Sequence, residues 1–226
     1  MLKAVIFDFD GVITDSEVLH LRAFNSVLGQ YGVQLTTQEY YSRYLGFTDV
    51  DCFKLLISEG RLNIQEDQIA DLVRKKAAVF EDLAKNEGRL IAGVRGFLQM
   101  LMDSGIPMAI CSGALLAEIE VTLEEAHLRQ AFEVIVSAEH VRKGKPDPEG
   151  MLLTLRKLSS RLNERIAAEQ CVVIEDSSWG LQAARAAGMH TVAVTNSYGA
   201  EKLSLAEKIV ANLEELSIED LRRLCG

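Results

Sequence analysis

Proline is scarce in this chain, with three residues among 226. Together with 48% hydrophobic and 25% charged residues, that scarcity excludes a proline-rich linker, a collagen-like repeat and a low-complexity tail. Positive charge is also thin: 24 Lys and Arg stand against 33 Asp and Glu, the formal net charge is -9, and no Lys/Arg-rich run occurs. Nucleic acid is therefore not an expected partner. Apolar stretches are short. Residues 104–117 carry no charge, but Pro107 interrupts them, and they fall short of the roughly 18 apolar residues a membrane span requires. The opening MLKAVIFDFD turns acidic too soon for a secretory signal. Cysteine occurs four times, at Cys52, Cys111, Cys171 and Cys225, without C-x-x-C spacing. Structural thiols in a reducing cytoplasm are the expectation. These absences describe a cytoplasmic globular protein with no membrane contact, expected as a monomer or weak homodimer.

A chain of this length holds one substantial core and has room for a smaller second one. Four apolar runs have the length of buried parallel strands: residues 3–7 (KAVIF), 108–112 (MAICS), 172–176 (VVIED) and 191–195 (TVAVT), with a weaker fifth at 134–137 (VIVS). Helical periodicity lies between them, at residues 96–104, 114–127, 148–158 and 178–187. Strand alternating with helix predicts an α/β fold with an open, Rossmann-like parallel sheet. Residues 15–88 break the alternation. Their patterns are helical, at 17–30, 37–44, 50–58 and 66–84. They are expected to form an all-helical domain inserted into a core made of residues 1–14 and 89–226, with hinges near residues 11–16 and 88–93. Thr14 and Glu17 have the spacing of a capping box for its first helix.

The first strand runs into AVIFDFDGVITD, which crowds Asp8, Asp10 and Asp15 behind an apolar run. Ionised carboxylates resist such surroundings unless a positive group compensates them, so a bound cation is expected. In open α/β sheets ligands gather beyond the carboxyl ends of the strands. Four polar clusters fall there: Asp8 to Gly11, Ser112-Gly113, Lys145-Pro146-Asp147 and Glu175-Asp176-Ser177. Each has a plainer reading by itself, as solvated loop carboxylates, an ordinary turn, a surface lysine, and a cap for the following helix. Trp179 reads as packing or as a wall of the site.

In this order, D-F-D-G-V-I-T, S-G, K-P and E-D-S resemble the haloacid dehalogenase-like superfamily over nearly the whole chain. The helical insertion after the first motif is similar to the branch that contains β-phosphoglucomutase and small-metabolite phosphatases. The resemblance implies Asp8 as nucleophile, forming an aspartyl-phosphate, and Asp10 as the acid and base. It implies Mg²⁺ held by the Asp8 carboxylate, the Asp10 carbonyl and Asp176, with Glu175 sharing or supporting that role. Ser112 and the Gly113 amide would hold phosphoryl oxygens, and Lys145, directly before a proline, would offset charge in preference to Lys143. The cap of such enzymes closes over the crevice and selects substrate. His20 matches a cap position that couples closure to acid-base work, against the alternative of a helix-surface histidine. Lys75 or Lys76 matches a cap lysine that reaches substrate, against the alternative of a solvated R-K-K run.

Departures narrow the activity. β-Phosphoglucomutase grips its second phosphate with a cap arginine following a glycine equivalent to Gly46, and with a Ser-Lys pair beyond the second motif. Here the ungapped matches are Asp49, and Ala114 with Leu115, which cannot make those charge-assisted bonds. Dehalogenases lack the second aspartate of the first motif, and phosphonate hydrolases replace it, whereas Asp10 is present. The expected function is a Mg²⁺-dependent phosphatase acting on a small phosphorylated metabolite, a sugar phosphate or a phosphoglycolate-like acid. The alternatives are a hexose-phosphate mutase and a metal- and phosphate-binding module without turnover.

Overall fold

The computed structural model describes residues 1–45, 47–87 and 89–226. Gly46 and Gly88, the alignment point in the insertion and the first residue of the expected second hinge, lie outside them. The chain divides into two compact units, Met1–Asp15 with Leu90–Gly226, and Ser16–Arg89.

The first unit carries six strands: β1 (Ala4–Phe7), β2 (Met108–Cys111), β3 (Val134–Val136), β4 (Cys171–Glu175), β5 (His190–Val194) and β6 (Lys208–Val210). All neighbours pair in parallel, in the order β3-β2-β1-β4-β5-β6, so the open α/β sheet expected from the sequence is present. The first two strands to follow β1 lie on one side of it and the last three on the other. That reversal is the switch point at which such sheets bind ligands. Five helices connect or flank the strands: α5 (Val94–Asp103), α6 (Leu116–Glu125), α7 (Glu149–Arg161), α8 (Ser178–Ala186) and α9 (Ile218–Leu224). The sixth strand and the last helix have no counterpart in the sequence reading; the strand is a three-residue edge that begins on Lys208.

Near-continuous apolar runs make strands here because both sheet faces are covered. Val5, Phe7, Met108, Ile110, Val172 and Ile174 join one core cluster with Phe97 and Leu101. Ala4, Ile6, Ala109, Cys111, Cys171 and Val173 join the other, with Met151 and Leu158. Phe7 meets Phe97 and Phe132 edge-on, with ring centroids 6.0 and 5.9 Å apart. Each such buried ring or branched chain contributes roughly 1.5–3 kcal/mol, which holds the central strand rigid up to its charged end. All four cysteines are free, and Cys52, Cys111 and Cys171 are buried. No helix among the described residues is long and apolar enough to cross a membrane.

The second unit is helical among its described residues: α1 (Glu17–Leu28), α2 (Thr37–Arg43), α3 (Asp49–Ser58) and α4 (Ile69–Glu87). The N-cap of α1 falls two residues after Thr14, the position expected from the sequence. Ser16 is the N-cap of α1, without a capping side-chain bond, while the Thr14 backbone is engaged in bridges to Asp10 and Leu90. Thr36 and Thr48 do cap α2 and α3, accepting from Glu39 N and Asp51 N at 3.2 Å. Along α4, Leu72, Lys76, Phe80 and Ala84 form one buried row at the i, i+4 interval. A lysine stands in an apolar stripe.

Candidate active site

β1 hands its last peptide to its neighbour, since Asp8 N–H donates to the Ile174 carbonyl at 2.9 Å. The chain then folds back on itself. Ile13 and Thr14 both donate to the Phe9 carbonyl, at 2.8 and 3.1 Å, and Gly11 N–H reaches the Thr14 carbonyl at 2.9 Å. Gly11 takes φ +76°, and a Cβ there would stand 1.8 Å from Asp176 Oδ2. Only glycine satisfies both the turn and the close approach.

β4, paired with β1, ends in the second acidic cluster. The Glu175 carboxylate is fully buried and fully engaged. Its Oε2 accepts from Asp176 N at 3.0 Å, Ser177 N at 3.0 Å and Ser177 Oγ at 2.8 Å, and its Oε1 pairs with Lys145. Ser177 Oγ also accepts from Gly180 N at 3.1 Å and so caps α8. The capping role and the site therefore share residues. Asp176 is buried, and its Oδ2 accepts from Ser197 Oγ.

Lys145 enters from the loop after β3. Its Nζ lies 2.9 Å from Asp8 Oδ1, an ion-pair distance, yet the approach lacks hydrogen-bond alignment and Oδ1 is buried without a hydrogen-bond donor. Lys143 is 73% exposed and 3.5 Å from Asp147, away from this cluster. Ser112 follows β2 on the other side of β1; its N–H donates to Val136 O at 2.9 Å and its Oγ accepts from Ala114 N at 3.1 Å. The Gly113 amide is exposed and makes no hydrogen bond among the described residues. Asp10 is half-buried in the turn, and Asp15 is exposed. Trp179 is 39% exposed and tilts against Tyr198, with ring centroids 6.3 Å apart.

Asp8, Glu175 and Asp176 each offer an oxygen within 4.8 Å of the others. Burial pushes the Asp8 carboxyl up to about 7; Lys145 opposes the rise, and Glu175 and Asp10 add to it. Asp176 is raised well above the usual carboxylate range, first by burial and then by Glu175 and Asp8. Burial works against the Lys145 ammonium, but Asp8 and Glu175 outweigh it and hold its pKa above the ordinary value. Among the described residues, three buried carboxylates converge beside the Lys145 ammonium. A hard divalent cation fits this donor set, because it accepts oxygen ligands and the three buried carboxylates offer oxygens that converge within 4.8 Å.

His20 and Lys76 form a cluster of their own inside the helical unit. Lys76 is fully buried, 3.0 Å from Asp49 and 2.6 Å from His20 Nδ1. Its ammonium faces the Phe24 and Phe80 rings at 5.3 and 5.0 Å, and His20 stacks on Phe80. The solvated reading of the R-K-K run is therefore wrong for Lys76 and holds for Lys75, which is exposed and paired with Asp71 at 2.9 Å.

Sequence reasoning passes over Asn196 and Ser197, which follow β5. Ser197 reaches Asp176, and Asn196 Nδ2 donates to the Gly11 carbonyl at 2.7 Å. The available signal was a polar run directly after a strand, the same signal that marked the other tips.

Comparison with known proteins places this geometry. The family model for haloacid dehalogenase-like hydrolase matches residues 5–194. A phosphorylated carbohydrates phosphatase of Thermotoga maritima is 31% identical, over 84% of this chain and 84% of its own length. A fructose-1-phosphate phosphatase of Escherichia coli is also 31% identical, over 84% of this chain and 95% of its own. The crystal structure of CbbY from Rhodobacter sphaeroides in complex with phosphate superposes with a TM-score of 0.89 at 26% identity, covering 98% of this chain and 100% of that one.

Proposed function

The chain belongs to the haloacid dehalogenase-like hydrolases and is a phosphatase of that family, and we propose that it hydrolyses a small phosphorylated metabolite with Mg²⁺ as its cation. The substrate class is a sugar phosphate or a phosphoglycolate-like acid; the names of the two phosphatase relatives support the first. A cytoplasmic monomer or weak homodimer is the proposed setting. One observation carries the reading: buried Asp8, Glu175 and Asp176 converge, and the Lys145 ammonium pairs with Asp8 and Glu175.

In this proposal an Asp8 oxygen attacks phosphorus, and the bond from phosphorus to the ester oxygen breaks. Asp10, in its acid form, gives its proton to that leaving oxygen. Asp10 then takes a proton from the water that attacks the aspartyl-phosphate, the bond from phosphorus to Asp8 breaks, and inorganic phosphate leaves. Lys145 sits against Asp8 and offsets charge as the phosphoryl group arrives. The Ser112 hydroxyl and the Gly113 amide are the donors proposed for its oxygens. Mg²⁺, held by Asp8, Asp176 and the Asp10 carbonyl, would neutralise the repulsion between nucleophile and phosphate. Glu175 is assigned to support, because both of its oxygens are committed to Lys145 and the Asp176-Ser177 backbone. For His20 and Lys76, resemblance is the support for a part in substrate choice.

The test is a panel of phosphate esters, assayed for free phosphate and for isomerised sugar phosphate, with Mg²⁺ present and then chelated. Phosphate release that stops on chelation is the expected result. Isomerisation outpacing release would replace the reading with a mutase.

A further inference from the structure

We propose that Asn196 and Ser197, at the tip of β5, clamp the two acidic strand tips together and are positioning residues for the cation site. This deepens the proposed function and rests on its reading of Asp8 and Asp176 as cation ligands. β5 is not adjacent to β1; β4 lies between them. Even so, the two residues after β5 reach both acidic tips. Asn196 Nδ2 donates to the Gly11 carbonyl at 2.7 Å, gripping the turn that carries Asp10. Ser197 Oγ donates to Asp176 Oδ2 at the end of β4. The contacts interlock around Gly11, where a Cβ would lie 1.8 Å from Asp176 Oδ2 and 2.7 Å from Ser197 Oγ.

The chemistry explains why such a clamp is needed. Asp8, Glu175 and Asp176 repel one another, and a cation binds well only if their oxygens already converge. A carboxylate whose one oxygen accepts a hydroxyl proton has its other oxygen fixed in direction. Ser197 does this for Asp176 from outside the cluster and adds no charge. Asn196, equally neutral, sets the height of the neighbouring turn.

Mg²⁺ binding by isothermal titration calorimetry on the full chain tests the clamp, independently of turnover. Ser197→Ala is expected to weaken binding by about 10- to 100-fold, the usual cost of losing a group that orients a metal ligand. Ser197→Thr, which keeps the hydroxyl, is expected to stay within about threefold of the parent, and Ser197→Val, isosteric with the threonine variant, to behave like Ser197→Ala. Several results overturn the clamp alone: Ser197→Ala binding within about twofold of the parent, Ser197→Thr losing as much as Ser197→Ala, or a metal-free Ser197→Ala that no longer unfolds cooperatively. A parent chain that binds no Mg²⁺ overturns the cation reading and the clamp with it. A parent that binds and hydrolyses while Ser197→Ala is unaffected leaves the function standing and removes only the clamp.

Discussion

Asp8 holds its proton up to about 7 in the metal-free fold, against 3.8 for the free carboxyl, chiefly because it is buried. Between those values the folded chain keeps a proton that the unfolded chain has released. Raising the pH from about 4 to about 7 therefore lowers the stability of the metal-free protein, and Asp176, shifted the same way, steepens the fall. Mg²⁺ holds the carboxylates ionised, so with the ion bound the slope is expected to flatten. Thermal unfolding at about pH 5, 6 and 7, with Mg²⁺ and with chelator, checks both statements; metal-free stability that climbs across this window would contradict them. Lys145→Met leaves Asp8 and Glu175 without their ammonium and is expected to cost about 3–5 kcal/mol in chemical denaturation of the metal-free chain. Asp10→Asn is expected to lower kcat by about 10²–10⁴-fold while leaving the fold intact. If parent and Asp10→Asn bound phosphate ester equally and neither released phosphate, the site would be a sensor.

At the scale of elements, the first turn of α8 lies directly beneath Glu175. Replacing a helical glycine by alanine ordinarily stabilises by up to about 1 kcal/mol. At Gly180 the sign reverses, because the new methyl would stand 1.6 Å from Glu175 Oε1. Gly180→Ala is expected to destabilise by about 1–3 kcal/mol and to weaken Mg²⁺ binding; an unchanged melting temperature would refute the close fit. The helical unit offers a matching case. Asp49→Ala removes the carboxylate that lies 3.0 Å from the fully buried Lys76 ammonium, and a loss of up to about 3–5 kcal/mol is expected, with Asp49→Ala/Lys76→Met recovering part of it. These elements also show what a sequence carries and what it hides. The central strands were legible because burial on both faces leaves only apolar residues to choose from. The burial of Lys76 is hidden in the sequence, because the R-K-K triplet is charged along the chain, whereas the i, i+4 row with Leu72, Phe80 and Ala84 decides its surroundings. The cap of α1 was misplaced because the Thr14 backbone is taken by Asp10 and Leu90, partners that spacing alone does not reveal. Asn196 and Ser197 looked like any turn; their meaning depends on Gly11, far away in sequence and near in space.

For the whole molecule, a formal charge of -9 surrounds a site proposed to take an anion. Long-range repulsion should slow substrate capture most where screening is weakest. Raising the ionic strength from about 0.01 to about 0.15 M shortens the Debye length from roughly 30 to roughly 8 Å, and kcat/KM for a phosphate ester is expected to rise. A fall over that range would mean that local attraction at the strand tips outweighs the net field.

The place of β1 in the sheet has a further consequence, for biosynthesis. Val5 pairs with Met108 on one side and with Val172 on the other, so the strand that bears Asp8 leaves the ribosome long before either neighbour exists. Until the second neighbour emerges, the nascent chain carries an apolar ribbon with an unsatisfied edge, the kind of segment that chaperones hold. Assembly of the charged tips is then a late event in the life of each newly made polypeptide, and a message truncated before residue 171 would yield a chain bearing Asp8 but lacking Glu175 and Asp176.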